Sequence, residues 1–181
     1  MASFTDRMIG AAMLNANTYE EVEADSTALG QAMGVVVLSA VAAGIGSFGL
    51  GGVMGLVGGT VAALIGWFIW AGLTFIIGTK LLPEPQTSTD MGELLRTLGF
   101  ASSPGILKVA GIIPLLGWLV SFAASLWMLA ATVVAVRQAL DYQSTGRAVA
   151  VCVIGFIIYL IVGFMMATVF GFAGAMTGAF G

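Results

Sequence analysis

Every charged residue of this chain can be placed on one side of a lipid bilayer, and this distribution limits the fold more than any motif does. The charges of the first 25 residues end at Asp25, and no other follows until Lys80. As a helix, the uncharged segment 26–79 would extend about 80 Å, enough to cross a hydrocarbon core of about 30 Å twice. The chain must therefore reverse inside this segment, and the glycine-rich stretch 44–52 predicts the turn.

The composition favours the same class of fold. The chain is 59% hydrophobic and only 8% charged, against about 25% charged in average soluble domains. We therefore predict one all-α domain, a polytopic membrane helix bundle. The N-terminus lacks a basic region followed by a short apolar run, so we expect no cleavable signal and a first apolar helix that stays in the membrane.

The residue types that are missing exclude several functions. The chain has no histidine, and its one cysteine, Cys152, lies in an apolar run. Disulfides within the chain and imidazole or thiolate metal sites are therefore excluded, and we predict no cofactor and no catalytic activity. Six Lys and Arg residues provide no cationic surface for nucleic acid, whose binding depends on phosphate neutralisation.

The later charged clusters, 80–108 and 137–147, determine the predicted topology. A single helix over 109–136 would place Arg137 and Arg147 opposite Lys80 and Arg96, which the positive-inside rule disfavours. A break and reversal at Pro114 avoids this arrangement. We therefore predict five apolar elements with a cytoplasmic N-terminus and the C-terminus on the opposite side; they cover 27–47, 52–79, 103–113, 118–136 and 148–171. The third element is short or re-entrant.

Two segments on the polar side show an amphipathic pattern. In residues 90–100 the apolar side chains recur at the spacing of one helix face, and Asp90 and Glu93 have the spacing of a capping box. This pattern predicts an interfacial helix. The N-terminal segment 1–25 begins with a similar but weaker helix after Ser3 and continues into an acidic stretch.

Four stretches together resemble the YIP (Ypt-interacting-protein) family of membrane proteins in its bacterial form; they are 18–25, 94–104, 111–114 followed by Trp118, and 136–142. The resemblance implies a five-helix membrane domain with a cytoplasmic N-terminus. Eukaryotic members are associated with vesicle trafficking and Rab-class GTPases. This chain lacks their long cytosolic region and its Asp-Leu-x-Gly-Pro type segment, so Rab binding is not carried over.

The candidate polar or interaction residues are Glu20, Glu21, Glu23, Asp25, Arg96, Lys108, Pro114, Arg137 and Asp141. The acidic stretch could recruit a basic partner or a divalent cation, or it could be a solvated face that favours the dipole of the first spanning helix. Lys108 could mark an ion or substrate path, or it could extend back to the cytoplasmic head groups. Both pairs of alternatives remain open on the sequence.

The preferred interpretation is a non-enzymatic integral membrane protein of YIP type that acts through membrane lipids, a protein partner or a second copy of itself. It would serve in membrane organisation or as a trafficking-like scaffold. In a bacterium it would lie in the plasma (inner) membrane. A small transporter or channel subunit with a site at Lys108 and Pro114 is the alternative, as is an accessory subunit of a larger membrane complex.

Overall fold

The computed structural model describes residues 2–47, 52–113 and 115–178. Within these ranges the chain is helical and contains no β-strand, which confirms the all-α prediction. The helices, in chain order, are α1 (Phe4–Ala12), α2 (Ala16–Ala24), α3 (Leu29–Gly46), α4 (Gly52–Ile76), α5 (Met91–Phe100), α6 (Gly117–Ala139) and α7 (Thr145–Gly178). Two 3₁₀ helices, Ser26–Ala28 and Ser103–Ile112, and a π-helical turn, Ile77–Leu81, complete the chain.

Polar side chains define where the short helices begin. Asp90 and Glu93 form a capping box at α5, as their spacing predicted, and Ser3 and Asp6 form another at α1. Each box satisfies two backbone N–H groups that the first turn of a helix would otherwise leave unpaired. Asn15 caps α2 by accepting from the N–H of Asn17 at 3.0 Å.

Four helical stretches are long and apolar enough to cross a membrane: Ser26–Gly46, Gly52–Leu81, Gly117–Ala139 and Thr145–Met165. Their apolar windows are only 17–33% buried inside the protein. The remaining apolar surface has no protein neighbour and would be in contact with lipid, which is the environment that such helices require.

The prediction of five apolar elements is not confirmed, because the third element does not qualify as a membrane span. It forms the 3₁₀ helix Ser103–Ile112, which at about 2.0 Å per residue is about 20 Å long. A hydrocarbon core is about 30 Å thick. Pro114 and residues 48–51, where the two reversals were predicted, lie outside the described residues.

The 3₁₀ helix Ser103–Ile112 packs along α3 and α6. A β-carbon added at Gly99 would overlap Ala32 near the start of α3, and one added at Gly46, the last residue of α3, would overlap the carbonyl oxygen of Lys108. The chain from Gly99 to Lys108 therefore follows α3 over most of its length. At Gly117 an added β-carbon would overlap the backbone of Gly111, so α6 begins at this far end of α3 and runs back.

Lys108 consequently lies deeper than the sequence interpretation placed it. The alternative in which Lys108 extends back to the cytoplasmic head groups requires a position near the polar end of its element, whereas its backbone lies against Gly46 at the opposite end of α3. Two features account for the difference. The preceding helix already reaches Ala32 at Gly99, and a 3₁₀ helix rises about 2.0 Å per residue instead of about 1.5 Å.

The most completely buried side chains lie where α1, α2 and α5 pack on the polar ends of the spanning helices. Tyr19, Leu94, Phe100 and Leu140 are all fully buried there. We call α1, α2 and α5 together the platform. The platform and the spanning helices share one continuous hydrophobic core.

Candidate functional site

Arg7 of α1 is the centre of an ion cluster in the platform. Its guanidinium donates to Glu21 Oε1 at 3.0 Å, to Asp25 Oδ2 at 2.7 Å and to Gln31 Oε1 at 3.1 Å. The side chain is only 2% exposed. One cation therefore joins α1 to α2, to the residue that ends α2 and to the first turns of α3.

The two carboxylates of this cluster have lowered pKa values. For Glu21 the main cause is the hydrogen bond from Arg7, followed by one from the N–H of Ala2. For Asp25 the hydroxyl of Thr27 contributes most, followed by Arg7, and together they lower its pKa to about 2. Both carboxylates are bound inside the chain, which leaves them less free for a partner than the sequence interpretation allowed.

Arg96 of α5 caps the end of α2. Its Nε donates to the carbonyl oxygens of Val22 and Glu23, each at 3.0 Å, and its Nη2 also donates to the carbonyl of Glu23. The last carbonyls of a helix have no partner within the helix and carry its negative dipole end. A buried guanidinium satisfies both needs and fixes α2 against α5.

The side chain of Glu23 lies among other carboxylates at the same place. Burial raises its pKa to about 7, and the negative charges of Asp141, Glu93 and Glu20 add to the effect, while Arg96 opposes it. Glu20 itself accepts a hydrogen bond from Gln138 Nε2 at 2.7 Å. The described residues contain no group of three or more acidic, histidine or cysteine side chains that could hold a metal ion.

The raised pKa of Glu23 predicts that the stability of the protein depends on pH. Its pKa in the folded protein is about 7, above its ordinary value of 4.5, so between these values the folded state holds a proton that the unfolded chain has released. Raising the pH through this window should therefore lower the free energy of unfolding. Thermal unfolding in detergent between pH 5 and pH 8, the approximate limits of that window, would measure the slope.

The matched variant for this prediction is Glu23→Gln, which cannot titrate and should flatten the slope. Glu21 and Asp25 do not interfere, because their pKa values are lowered and their contribution is lost only in acid, below their ordinary values of 4.5 and 3.8. An equal slope in wild type and variant would show that Glu23 is not the titrating group.

The α6–α7 loop forms a second polar junction on the same side. Arg137 donates to the carbonyl of Tyr142 at 3.3 Å, and Asp141 adopts a left-handed φ of 53°. The Tyr142 hydroxyl lies 3.1 Å from the carbonyl oxygen of Gly78 and 2.8 Å from that of Leu82, so it binds the loop to the π-helical turn. Glu84 accepts from the N–H of Gln143 at 2.9 Å, which also fixes the 82–89 linker to this loop.

Lys108 is separate from these clusters. It lines two cavities of about 350 Å³ and 380 Å³, which share Lys108 and Ala43. The inner cavity is bounded by the middle of α3, α4 and α6, and the outer cavity by the ends of α3 and α6. Among the described residues Lys108 has no ion pair and no hydrogen bond from its side chain.

The structure thus brings together most of the predicted polar residues on one side. Glu20, Glu21, Glu23, Asp25 and Arg96 meet in the platform, with Asp141 beside Glu23. Arg137 lies in the neighbouring loop, Lys108 lies among the spanning helices, and Pro114 is outside the described residues.

Sequence reasoning missed Arg7, Tyr142 and Trp127. Arg7 could have been found as the one basic residue before the acidic stretch. Nothing in the spacing of Tyr142 or Trp127 indicates that they bind the backbone of distant segments.

The fold and these contacts define a class of protein: a multi-pass, all-helical integral membrane protein with a packed platform on one side of its spanning helices. The Yip1 domain model matches residues 12–176. The chain belongs to the Yip1 domain family. Comparison with curated proteins and with solved structures gives no significant match.

Proposed function

We propose that this protein is a non-enzymatic, YIP-type membrane protein of bacterial type that acts by binding lipids or other proteins in the bilayer, as an organiser or scaffold of the membrane. The platform is the surface that binds these lipids or proteins. Arg7 joins α1 and α2 to the spanning helix α3 through Asp25 and Gln31, and Arg96 joins α2 to α5 within the platform.

One observation carries this proposal: α1 lies against a spanning helix. Trp127 of α6 donates its indole N–H to the carbonyl of Ala12, the last residue of α1, at 2.7 Å. Trp127 is about 18 Å from the polar end of α6 at about 1.5 Å per residue. The end of α1 is therefore beside the membrane domain, and the adjacent Met13 is 72% exposed there. An exposed apolar side chain beside a spanning helix can insert between the lipids that surround it.

Spin labelling tests this proposal directly. In a Cys152→Ser background, a nitroxide at Met13→Cys should collide more with oxygen, which partitions into lipid, than with a water-soluble nickel chelate. Asn17→Cys is the control, because Asn17 is exposed one helix further on, and it should show the opposite preference. If position 13 is as accessible to the nickel chelate as position 17, α1 does not contact lipid and the proposal loses its support.

We further propose that the N-terminus and platform face the cytoplasm and that the C-terminus lies on the opposite side. Five of the six basic residues lie on the platform side, and basic residues accumulate on the cytoplasmic side of membrane proteins. They are Arg7 and Arg96 in the platform, Arg137 and Arg147 at the helix ends that flank the α6–α7 loop, and Lys80 in the π-helical turn that Tyr142 binds. In whole cells, a membrane-impermeant thiol reagent should label Ser47→Cys but not Gln86→Cys or Ser144→Cys. All three residues are exposed. Labelling of position 144 together with position 47 would contradict the orientation.

A further inference from the structure

Lys108 is the one charged residue on the walls of the two cavities among the spanning helices. Burying an ammonium group among apolar helices costs several kcal/mol if nothing compensates it. Lys108 is partly buried, and the two fully buried cations of the described residues are compensated: Arg7 by carboxylates and Arg96 by carbonyls. Among the described residues, Lys108 has neither.

The Lys108 ammonium contacts open space. The described residues contain no buried side-chain nitrogen or oxygen without a hydrogen-bond partner, yet Lys108 makes no hydrogen bond, so its ammonium cannot be sealed in protein. The space it can reach is that of the two cavities it lines. A head group from its own polar side is distant, because its backbone lies against Gly46.

Hydroxyl groups add further donors to the inner cavity. Ser102 and Tyr159 line it, and no hydrogen bond to another described residue uses either hydroxyl; Ser39 also lines it, but its hydroxyl lies against the backbone of Gly105. The rest of its wall is largely apolar and includes Trp67 and Trp70. An ammonium and hydroxyl groups match an anion with several oxygen atoms, and the apolar wall matches a hydrocarbon chain.

We propose that these cavities form a binding site for an anionic phospholipid, with its phosphate at Lys108. The outer cavity lies at the ends of α3 and α6 and is lined by Ser47, Trp118 and Ser121, so a head group can enter from that membrane surface. Part of a hydrocarbon chain occupies the inner cavity. Basic pockets between spanning helices on the cytoplasmic side bind phospholipid head groups; here the single ammonium of Lys108 takes that role on the side opposite the platform. The assignment rests on the proposed lipid-binding function and names its ligand.

The site is tested by titrating the purified protein in mild detergent with short-chain phosphatidylglycerol and following tryptophan fluorescence. Trp67 and Trp70 line the inner cavity and report its occupancy. Phosphatidylcholine of equal chain length is the lipid control, and inorganic phosphate alone tests a free anion. We expect saturable binding of phosphatidylglycerol, weaker binding of phosphatidylcholine and no effect of inorganic phosphate.

Three variants test the contribution of the Lys108 side chain to lipid binding. Lys108→Gln should raise the Kd for phosphatidylglycerol about tenfold or more, the usual effect of losing a charged hydrogen bond. Lys108→Arg keeps the charge and should bind more tightly than Lys108→Gln. Lys80→Gln removes an equal charge from an exposed position outside both cavities and should leave the Kd unchanged.

A hydroxyl deletion gives independent evidence if Lys108→Gln does not accumulate as folded protein. Tyr159→Phe should raise the Kd about threefold to tenfold. Equal affinity of wild type and Lys108→Gln, or equal affinity for the two lipids, would overturn the site. Binding of inorganic phosphate alone would show that the ligand is a free anion and would overturn the assignment of a lipid. None of these outcomes changes the lipid contact of Met13, so failure of the site and failure of the proposed function can be told apart.

Discussion

Replacing Arg7 by alanine should destabilise the protein by about 2 to 3 kcal/mol. The substitution leaves Glu21, Asp25 and Gln31 without their shared donor. Breaking a fully buried ion pair costs about 3 to 5 kcal/mol; the expected loss is smaller here because the side chain of Glu21 is 39% exposed and regains water. Thermal or denaturant unfolding in detergent would measure the change.

Hydrogen exchange of the same variant should show where the stability is lost. We expect faster exchange in α1 and α2 and little change in α6 and α7, because Arg7 connects only the N-terminal elements and the start of α3. Arg147→Ala is the matched control. Arg147 pairs with Glu84 at 3.3 Å and is itself 46% exposed, whereas Glu84 is 10% exposed. Glu84 keeps hydrogen bonds from Gln143 and Gln86 when Arg147 is removed, so we expect a loss of about 0 to 1 kcal/mol, as for exposed pairs. Equal losses of stability in the two variants would show that the Arg7 ion cluster stabilises the protein no more than the Arg147–Glu84 pair does.

Gly46→Ala should be a severe substitution although it adds one methyl group. The new β-carbon would overlap the carbonyl oxygen of Lys108 and also lie close to Gly111. Both neighbours are backbone, so they cannot rotate away as a side chain could. Overpacking of this kind costs about 1 to 3 kcal/mol, occasionally more. We expect about 3 kcal/mol in unfolding experiments, with loss of the contact between α3 and the 3₁₀ helix.

Gly30→Ala in the same helix provides the comparison. An added β-carbon there has no neighbouring atom within 4 Å, and alanine is the better helix former by up to about 1 kcal/mol. Gly30→Ala should therefore be neutral or slightly stabilising. If the two variants have the same stability, α3 and the 3₁₀ helix are not in close backbone contact and Lys108 is not where the structure places it.

The sequence predicted the helical class and the short polar helices well, because these depend on local patterns. The polar residues Ser3 and Asp90 form hydrogen bonds with near neighbours in the chain, so local spacing is enough to predict where these helices begin. A long uncharged run such as 26–79 predicts membrane crossings from its length and composition alone. The five-element prediction is not confirmed: its short third element corresponds to the 3₁₀ helix Ser103–Ile112 between α3 and α6, and an apolar run does not reveal that helix type or that packing.

The candidate site could be predicted only as a set of residue types. The sequence identified the acidic stretch and Lys108, but it did not indicate that Arg7 binds Glu21 and Asp25 or that Arg96 caps α2. These partners are brought together by tertiary packing: the sequence shows Arg7 as the one basic residue before the acidic stretch, but not which carboxylates it binds. The depth of Lys108 was misjudged for the same reason, since it depends on which helix lies beside it.

The contact between Trp127 and Ala12 also has a consequence for biosynthesis. The two residues are 115 positions apart, and ribosomes add about 5 to 20 residues per second. The N-terminal helices must therefore wait about 6 to 23 seconds after their own synthesis before α6 exists for them to pack against. During that interval α1 has an apolar face without its final neighbour, and the membrane surface is the nearest apolar phase that can hold it.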